Sequence, residues 1–358
     1  MLEPGKKILY VASRAPHLQR FHEPYLRALR ERYEVKTMAA GDGVDFDVPF
    51  EKKIFSPKNL RLIGKIRRIL KQERFDCIIL NTILAAVTVR LSLRGIKPRP
   101  TVLYIVHGFV FSDPPKGFRE RLLLLAEKML RKRTDAYAVM NRADLVAAER
   151  HRFGKIRFLH GMGLPELPPP KRDLALRARF LGSEGAFLLT FVGELCKNKN
   201  QIFLIRAVKR LREDGVPVRL LLLGEGTSRA ELEREVEALA LREFVFLPGN
   251  VEPVLPYLAA SDLYVSASER EGLPFNLLEA MHCGLPILAS DVRGQTDLLE
   301  KNSLYPLNDM DAFCQKVKEV LNGGKTGSGA VIYPNLDDYR LQTVFAENME
   351  FLTNGGAG

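Results

Sequence analysis

Ser268-Glu269-Arg270-Glu271-Gly272-Leu273-Pro274-Phe275-Asn276-Leu277-Leu278-Glu279-Ala280-Met281-His282-Cys283-Gly284-Leu285-Pro286 is the stretch that decides the fold. It follows an apolar run of strand length, Leu263–Ser266, and leads into a second, Pro286–Ala289. Between them, Pro274 suits the first turn of a helix over Phe275–Cys283, because a missing N–H costs nothing there. Gly284 stands where a helix commonly ends in a left-handed residue. Neither flanking run alternates with polar residues, so both are expected to be buried on two faces. That is the environment of a parallel sheet covered by helices. Of the two carboxylates, Glu271 falls on the loop and Glu279 on the helix. The unpaired N–H groups of the helix start lie between them and favour a phosphate.

The same alternation extends through the chain. Strands are expected at Lys7–Ala12, Val35–Ala39, Cys77–Leu80, Thr101–Val106, Ala136–Met140 and Arg157–His160. Further strands are expected at Phe187–Val192, Val218–Leu223, Phe244–Leu247, Leu263–Ser266 and Pro286–Ala289. Helical patterns fit between them at Phe21–Arg32, Phe118–Lys132, Asn200–Glu213, Ser228–Ala240 and Phe275–Cys283, with a last one at Asp337–Leu352. Repeated strand–helix alternation predicts an α/β protein with doubly wound parallel sheets. Leu164-Pro165-Glu166-Leu167-Pro168-Pro169-Pro170 holds four prolines in six residues and cannot sit inside a helix or a central strand. It is read as a linker. The expected organisation is residues 1–166, an N-terminal acceptor-binding Rossmann-like domain; 167–335, a C-terminal sugar-nucleotide-binding Rossmann-like domain; and 336–358, a C-terminal helix and tail, loose from Asn354 onward.

At 358 residues the chain exceeds what one core usually serves. Its 46% hydrophobic and 27% charged residues are ordinary for a folded globular protein. No apolar run reaches the roughly 18 residues that a membrane-crossing helix needs, and no signal peptide is expected, since Ile8–Ala12 is too short. Cys77, Cys196, Cys283 and Cys314 are scattered, which fits neither a zinc pattern nor a disulfide framework and points to a cytoplasmic setting. The charge is uneven. Residues 1–180 carry 37 Lys and Arg against 18 Asp and Glu, and the remainder 17 against 25. A basic first half is expected to face something anionic: a membrane surface, a lipid-linked pyrophosphate or nucleic acid.

With Glu271 and Glu279 at E-x7-E spacing inside Glu-Gly-Leu-Pro-Phe and Glu-Ala-Met-x-Cys-Gly-Leu-Pro-Ile, the chain resembles the retaining glycosyltransferases of family 4. These have the GT-B fold, two Rossmann-like doubly wound domains facing across a cleft. The resemblance gives Glu271 the donor sugar and Glu279 the ribose, with Gly272, Leu273, Pro274, Phe275 and Asn276 around the diphosphate. Phe191-Val192-Gly193-Glu194-Leu195-Cys196-Lys197-Asn198-Lys199-Asn200-Gln201 is similar to the family's G-R-L-x-x-x-K segment. There Gly193 admits the donor, Lys199 meets the diphosphate, and Glu194 replaces the commoner Arg, a loss that Lys197 or Arg293 offsets. This form resembles the capsule and exopolysaccharide subgroup. Gly224-Glu225-Gly226 resembles the Gly-x-Gly turn near the nucleotide, and Gly249, in Leu247-Pro248-Gly249-Asn250-Val251, the segment around the base.

In the first half, Val106-His107-Gly108-Phe109 matches the place where the family's histidine contacts the donor sugar and the reacting region. Ser13-Arg14-Ala15-Pro16-His17-Leu18-Gln19-Arg20-Phe21-His22 is similar to the subgroup's His-x3-Phe-His form. It is read as a loop facing the acceptor, with Ser13, His17 and Arg20 as contacts. Asn81-Thr82 departs from the histidine many relatives show, and the role of that loop stays open. His160-Gly161-Met162-Gly163 is read as a structural turn. Asp45-Phe46-Asp47 has metal-binding D-x-D spacing but falls in an early loop, and no metal is expected there.

The resemblance implies a metal-independent hexosyltransferase of retaining type, with no cofactor beyond a nucleotide-sugar donor, most simply UDP-linked. The implied acceptor is a glycan or polyprenyl-pyrophosphate-linked glycan in bacterial surface polysaccharide synthesis. The scattered cysteines and the basic first half, with its Lys65–Lys71 and Arg119–Arg133 segments, lead to the expectation of a cytoplasmic protein peripheral on the inner face of the cell membrane. Rival readings are a same-fold UDP-sugar 2-epimerase, a degenerate sugar-nucleotide-binding protein, and a nucleic-acid binder using the basic half, for which no recognition motif is present. ATP hydrolysis and nucleophile-elbow hydrolysis lack their motifs.

Overall fold

The computed structural model describes residues 2–51, 57–168, 170–181, 185–323, 331 and 333–354. Pro169 of the linker and residues 355–358 of the tail lie outside the described residues. The chain forms two compact units, Met1–Gly163 with Tyr339–Gly358, and Leu164–Asp338.

The first unit is a seven-stranded parallel sheet. Its strands are β1 (Lys7–Arg14), β2 (Glu34–Ala40), β3 (Phe46–Asp47), β4 (Cys77–Asn81), β5 (Thr101–Val106), β6 (Ala136–Val139) and β7 (Lys155–Phe158), in the order β3-β2-β1-β4-β5-β6-β7. The helices are α1 (Ala15–Phe21), α2 (Glu23–Arg30), α3 (Pro57–Glu73), α4 (Ile83–Ser92), α5 (Phe118–Leu130) and α6 (Arg142–Arg150). The central strands carry Ile8–Ala12, Ile78–Leu80 and Val102–Val106 with almost no exposed surface. This is why they read as unbroken apolar runs.

The second unit begins with α7 (Leu174–Leu181) and continues through β8 (Phe187–Val192), α8 (Gln201–Glu213), β9 (Val218–Leu223), α9 (Arg229–Ala238) and β10 (Val245–Gly249). It is completed by α10 (Leu255–Ala260), β11 (Leu263–Ser266), α11 (Phe275–His282), β12 (Ile287–Ser290), β13 (Leu304–Tyr305) and α12 (Met310–Asn322). Its parallel sheet has the order β10-β9-β8-β11-β12-β13. Both sheets therefore follow the doubly wound 3-2-1-4-5-6 scheme, in which ligands bind beyond the carboxyl ends of the strands where the order reverses. That point falls beside β1 and β4 in the first unit and beside β8 and β11 in the second.

The final helix, α13 (Leu341–Asn354), belongs to the first unit. Asn348 Nδ2 donates to Tyr25 Oη at 2.7 Å and to the Gly161 carbonyl at 2.8 Å, and Tyr25 Oη donates to the Met162 carbonyl at 3.0 Å. The rings of Tyr25 and Phe345 stack at 5.2 Å. His160-Gly161-Met162-Gly163 is thus the seat of α13, in line with its structural reading.

Several elements differ from expectation. The segment after β1 is not a loop: β1 runs on to Arg14, and α1 starts at once, with Pro16 in its first turn and Ala15 and Leu18 buried. The helix expected over Phe21–Arg32 is two helices, because Pro24 lacks the N–H that a continuous helix would use, and α2 starts at Glu23 with that proline in its first turn. Strand β7 lies two residues earlier than expected, since Lys155–Phe158 pairs with Ala136–Val139 at an edge where burial is only partial. Asp45-Phe46-Asp47 forms edge strand β3 and the residue before it. Asp45 accepts from the Thr37 N–H and hydroxyl at 2.8 and 2.9 Å, and Asp47 accepts from the Gly41 N–H at 3.1 Å. Those carboxylates hold the β2–β3 turn.

Candidate active site

The carboxyl ends of β8 and β11 are joined by side chains that reach partners 72 residues away in sequence. Beyond β8 the chain turns at Gly193 and passes through a short 3-10 turn, Lys197–Lys199, before α8. Beyond β11 it forms the loop 267–274 and enters α11. Asn198 clamps the two: its carbonyl accepts from the Glu269 N–H at 2.8 Å, and its Nδ2 donates to the Arg270 carbonyl at 2.8 Å. Lys199 Nζ then meets Glu271 Oε1 at 2.5 Å, with Glu271 only 9% exposed. Asn276, in the first turn of α11, donates from Nδ2 to the Val192 carbonyl at 2.5 Å and ties the helix start to the end of β8. Pro274 is the N-cap residue rather than part of the helix, and Gly284 follows the helix end with φ +63°.

A buried polar network holds the loop from beneath. Ser290 Oγ donates to the Ser268 carbonyl at 2.6 Å, Gln295 Nε2 to Ser266 Oγ at 2.7 Å, and Tyr305 Oη to the Ser266 carbonyl at 3.0 Å. Each buried polar atom so paired avoids a desolvation cost of about 1–3 kcal/mol. Glu279 is buried on α11. Burial pushes the Tyr264 phenol well up, and the negative charges of Glu271 and Glu279 push in the same direction, so both carboxylates act on that spot beneath the loop. Burial, with Glu279 adding, also raises the Cys283 thiol to about 12, which leaves it an unreactive thiol.

Backbone closeness explains two glycines. A Cβ on Gly224 would overlap the Gly193 carbonyl oxygen, and one on Gly294 would overlap the Gly272 carbonyl oxygen. Gly224 donates to the Gly249 carbonyl at 2.8 Å, and Gly193 to the Leu223 carbonyl at 2.9 Å, so Gly193, Gly224 and Gly249 close one continuous turn system beyond β8, β9 and β10. Gly272, Leu273 and Phe275 lie half-buried around the start of α11, and Arg293 lies half-buried in the loop after β12. Lys197 and Glu194 are exposed, and the Glu194 carbonyl accepts from Gln201 at 2.9 Å.

The first unit's switch point is built from different groups. Ser13 N–H donates to Thr82 Oγ1 at 2.9 Å, and the two hydroxyl oxygens are 2.6 Å apart, joining the ends of β1 and β4. Thr82 has φ +64°, a strained setting for a β-branched residue of the kind that gathers at functional sites. His17 on α1, His22 between α1 and α2, and His107 just beyond β5 come together. The ring of His107 stands edge-on to His17 at 4.8 Å and to His22 at 5.5 Å, and His17 Nε2 and His22 Nε2 are 3.3 Å apart. Tyr10 Oη holds His22 Nδ1 at 2.9 Å. Burial lowers His22 and His107 well below the usual imidazole range and takes His17 down to about 4, so all three are neutral near pH 7. Arg20, by contrast, is exposed at the end of α1 with its guanidinium 5.5 Å from the Phe21 ring centroid.

The structure thus brings Gly193, Lys199, Gly224, Gly249, Glu271–Asn276 and Glu279 to one sheet end of the second unit, and His17 and His107 to one cluster in the first. Sequence reading quoted Asn198 and His22 within their motifs without giving either a role, left the role of Asn81-Thr82 open, and passed over Tyr10. Asn198 carried a signal in the Lys-Asn-Lys-Asn run, and His22 in its five-residue spacing from His17.

This pair of sheets defines a GT-B-type protein. Residues 9–161 match the model for Glycosyltransferase Family 4, and residues 186–323 match the model for Glycosyl transferases group 1. The chain is 29% identical to the putative glycosyltransferase EpsD of Bacillus subtilis over 332 residues, covering 88% of this chain and 87% of that protein. It is 25% identical over 274 residues to the UDP-Gal:alpha-D-GlcNAc-diphosphoundecaprenol alpha-1,3-galactosyltransferase of Escherichia coli, covering 74% and 70%. Among solved structures, Anabaena HepE in complex with UDP and glucose superposes with a TM-score of 0.73 at 19% identity, covering 98% of this chain and all of that one. The chain belongs to the family 4 glycosyltransferases and is a glycosyltransferase.

Proposed function

We propose that this glycosyltransferase moves a sugar, with retention of anomeric configuration, from a UDP-sugar to a glycan or polyprenyl-diphosphate-linked acceptor in bacterial surface polysaccharide synthesis. The observation that carries the reading is the Lys199–Glu271 pair, 2.5 Å apart at the switch point of the second sheet and beside the start of α11. A diphosphate entering there supplies the negative charge that Lys199 now takes from Glu271. The pair opens, and Glu271 turns to the sugar hydroxyls. Glu279, buried on α11, is assigned to the ribose. The helix-start N–H groups of Phe275 and Asn276, with Lys197 and Arg293, stabilise the leaving diphosphate. His107 is assigned to the donor sugar, and Ser13, His17 and Arg20 to the acceptor.

In the proposed step the acceptor hydroxyl oxygen bonds to the anomeric carbon on the face from which the diphosphate departs. The bond from that carbon to the diphosphate oxygen breaks, and the hydroxyl proton passes to the leaving phosphate. A double displacement with Glu271 as nucleophile is disfavoured because Glu271, once released from Lys199, is committed to the sugar hydroxyls. The names of the relatives support the substrate classes: one is a UDP-Gal-dependent transferase acting on a diphosphoundecaprenol-linked sugar. Screening UDP-sugars for UDP release in the presence of undecaprenyl-diphosphate-linked glycans tests the reading. Acceptor-dependent release, lost in Glu271→Ala, is expected. Release without any acceptor, or from no donor, overturns it.

An anionic membrane is proposed as the surface on which the lipid-linked acceptor is met. Phe118, Leu122, Leu125 and Met129 form one stripe of α5 and are 77%, 40%, 53% and 70% exposed, while Leu123, Leu124, Glu127 and Leu130 face inward. Arg119, Arg121 and Lys132 flank the stripe. Apolar side chains between cations fit the headgroup boundary of an anionic leaflet. Among the described residues no helix is long and apolar enough to cross a membrane. Co-sedimentation with phosphatidylglycerol vesicles is expected for the native chain and not for Phe118→Asp/Met129→Glu. Equal co-sedimentation of both overturns this surface.

A further inference from the structure

We propose that Gln295 is a positioning residue for the transfer reaction: it fixes the seat of the loop that carries Glu271, and so sets the rate of sugar transfer without taking part in UDP binding. The inference rests on the reading of Glu271 as the group that holds the donor sugar. Gln295 lies in the turn after β12, and its side chain has no exposed surface. Its amide stands between the carboxyl ends of two neighbouring strands. Nε2 donates to Ser266 Oγ, on β11, at 2.7 Å. Oε1 lies 3.1 Å from Ser290 Oγ, on β12, the hydroxyl that also reaches the Ser268 carbonyl at 2.6 Å. Ser266 Oγ is in turn 3.3 Å from Ser268 Oγ. Ser266, Ser268 and Ser290 are all buried, so their hydroxyls depend on these partners. The side chain at 295 must donate to one strand end and accept from the other, and an amide meets both needs without charge.

The same turn also touches the loop directly. A Cβ on Gly294 would overlap the Gly272 carbonyl oxygen and come within 3.0 Å of the Glu271 Cβ, so the backbone next to Gln295 lies against Glu271 itself. A shift of the turn is therefore passed to Glu271 without an intermediary. The start of α11 has an anchor of its own, since Asn276 holds it to the Val192 carbonyl at 2.5 Å, and Lys199 stands on the β8 side of the site. The groups assigned to the diphosphate thus keep their places when Gln295 is altered, while the carboxylate assigned to the sugar does not. A misplacement of about 1 Å at a reacting centre costs on the order of 10²-fold in rate.

The test compares the full native chain with two variants, using a UDP-sugar and an acceptor that the native chain turns over. Gln295→Met fills the same space without the hydrogen bonds. It should lower kcat by about 10–100-fold and leave the UDP dissociation constant, read by calorimetry, within about 3-fold of native. Gln295→Glu separates positioning from packing. Burial raises the pKa of such a carboxyl, and only its neutral form can donate to Ser266 Oγ. Its kcat relative to the native chain should therefore be highest at low pH and fall as the carboxyl ionises, with circular dichroism confirming the fold at each pH. A native kcat in Gln295→Met overturns the inference. So does an equal loss of UDP affinity and kcat, which would mean collapse of the whole site, and so does a pH-independent ratio for Gln295→Glu. Failure of the underlying reading looks different: Glu271→Ala would then transfer sugar as fast as the native chain, and the inference would fall with it.

Discussion

The two switch points have the same topology and opposite chemistry. In the second unit the ends of β8 and β11 are drawn together by Asn198, by Asn276 on the Val192 carbonyl and by the Lys199–Glu271 pair, with glycines where backbone meets backbone. In the first unit the ends of β1 and β4 are joined by the Ser13 and Thr82 hydroxyls, and the neighbouring space is filled by three imidazoles. The fold chooses where a ligand is met, and the side chains at that place choose which ligand. One sheet end presents charge and bare backbone, which suit the proposed diphosphate, and the other presents neutral nitrogen and hydroxyl groups.

The largest expected effect comes from breaking the charged side of this contrast. Glu271→Ala should lower kcat/KM for transfer by about 10²–10³-fold, the scale lost with one transition-state contact, read as UDP release under saturating acceptor. Next is the backbone side. Gly224→Ala pushes a methyl into the Gly193 carbonyl oxygen at φ +141° and should cost the second unit on the order of 3 kcal/mol, from overpacking and strain together. Gly154→Ala has φ +108° but open space around it and should cost about 1 kcal/mol, so urea midpoints of the two variants separate crowding from conformation. A smaller effect than that of Gly224→Ala belongs to the joint between β1 and β4. Thr82→Val keeps the shape, removes the hydroxyl that meets Ser13, and should cost about 1–2 kcal/mol by the same measurement. If Thr82→Val proved harmless while Gly224→Ala unfolded the chain, the joint between β1 and β4 would rest on packing alone.

Much of the fold was legible because parallel strands buried on both faces leave a local mark. Thr101–Val106, Phe187–Val192, Val218–Leu223 and Leu263–Ser266 begin and end where their apolar runs do. The short edge strands β3 and β13 have two residues each and no such run to show. Helix α1 was hidden because Pro16, His17, Gln19 and Arg20 resemble a polar loop, and only burial of Ala15 and Leu18 makes it pay as a helix. At the site, Glu271, Glu279 and Lys199 were readable from their surrounding words. Their pairing was not, since Lys199 and Glu271 are separated by 72 residues and only the sheet order makes them neighbours. The histidine cluster shows the same limit: His17 and His22 are close in sequence, while His107 reaches them only through the β1-β4-β5 order.

The most direct test of the central claim, that the second unit's switch point is the donor site, is calorimetric titration of UDP into the native chain, Lys199→Met and His17→Gln. UDP should bind the native chain and His17→Gln alike and bind Lys199→Met at least 10-fold more weakly. Unchanged binding by Lys199→Met, with loss in His17→Gln, would contradict the assignment and move the nucleotide to the first unit.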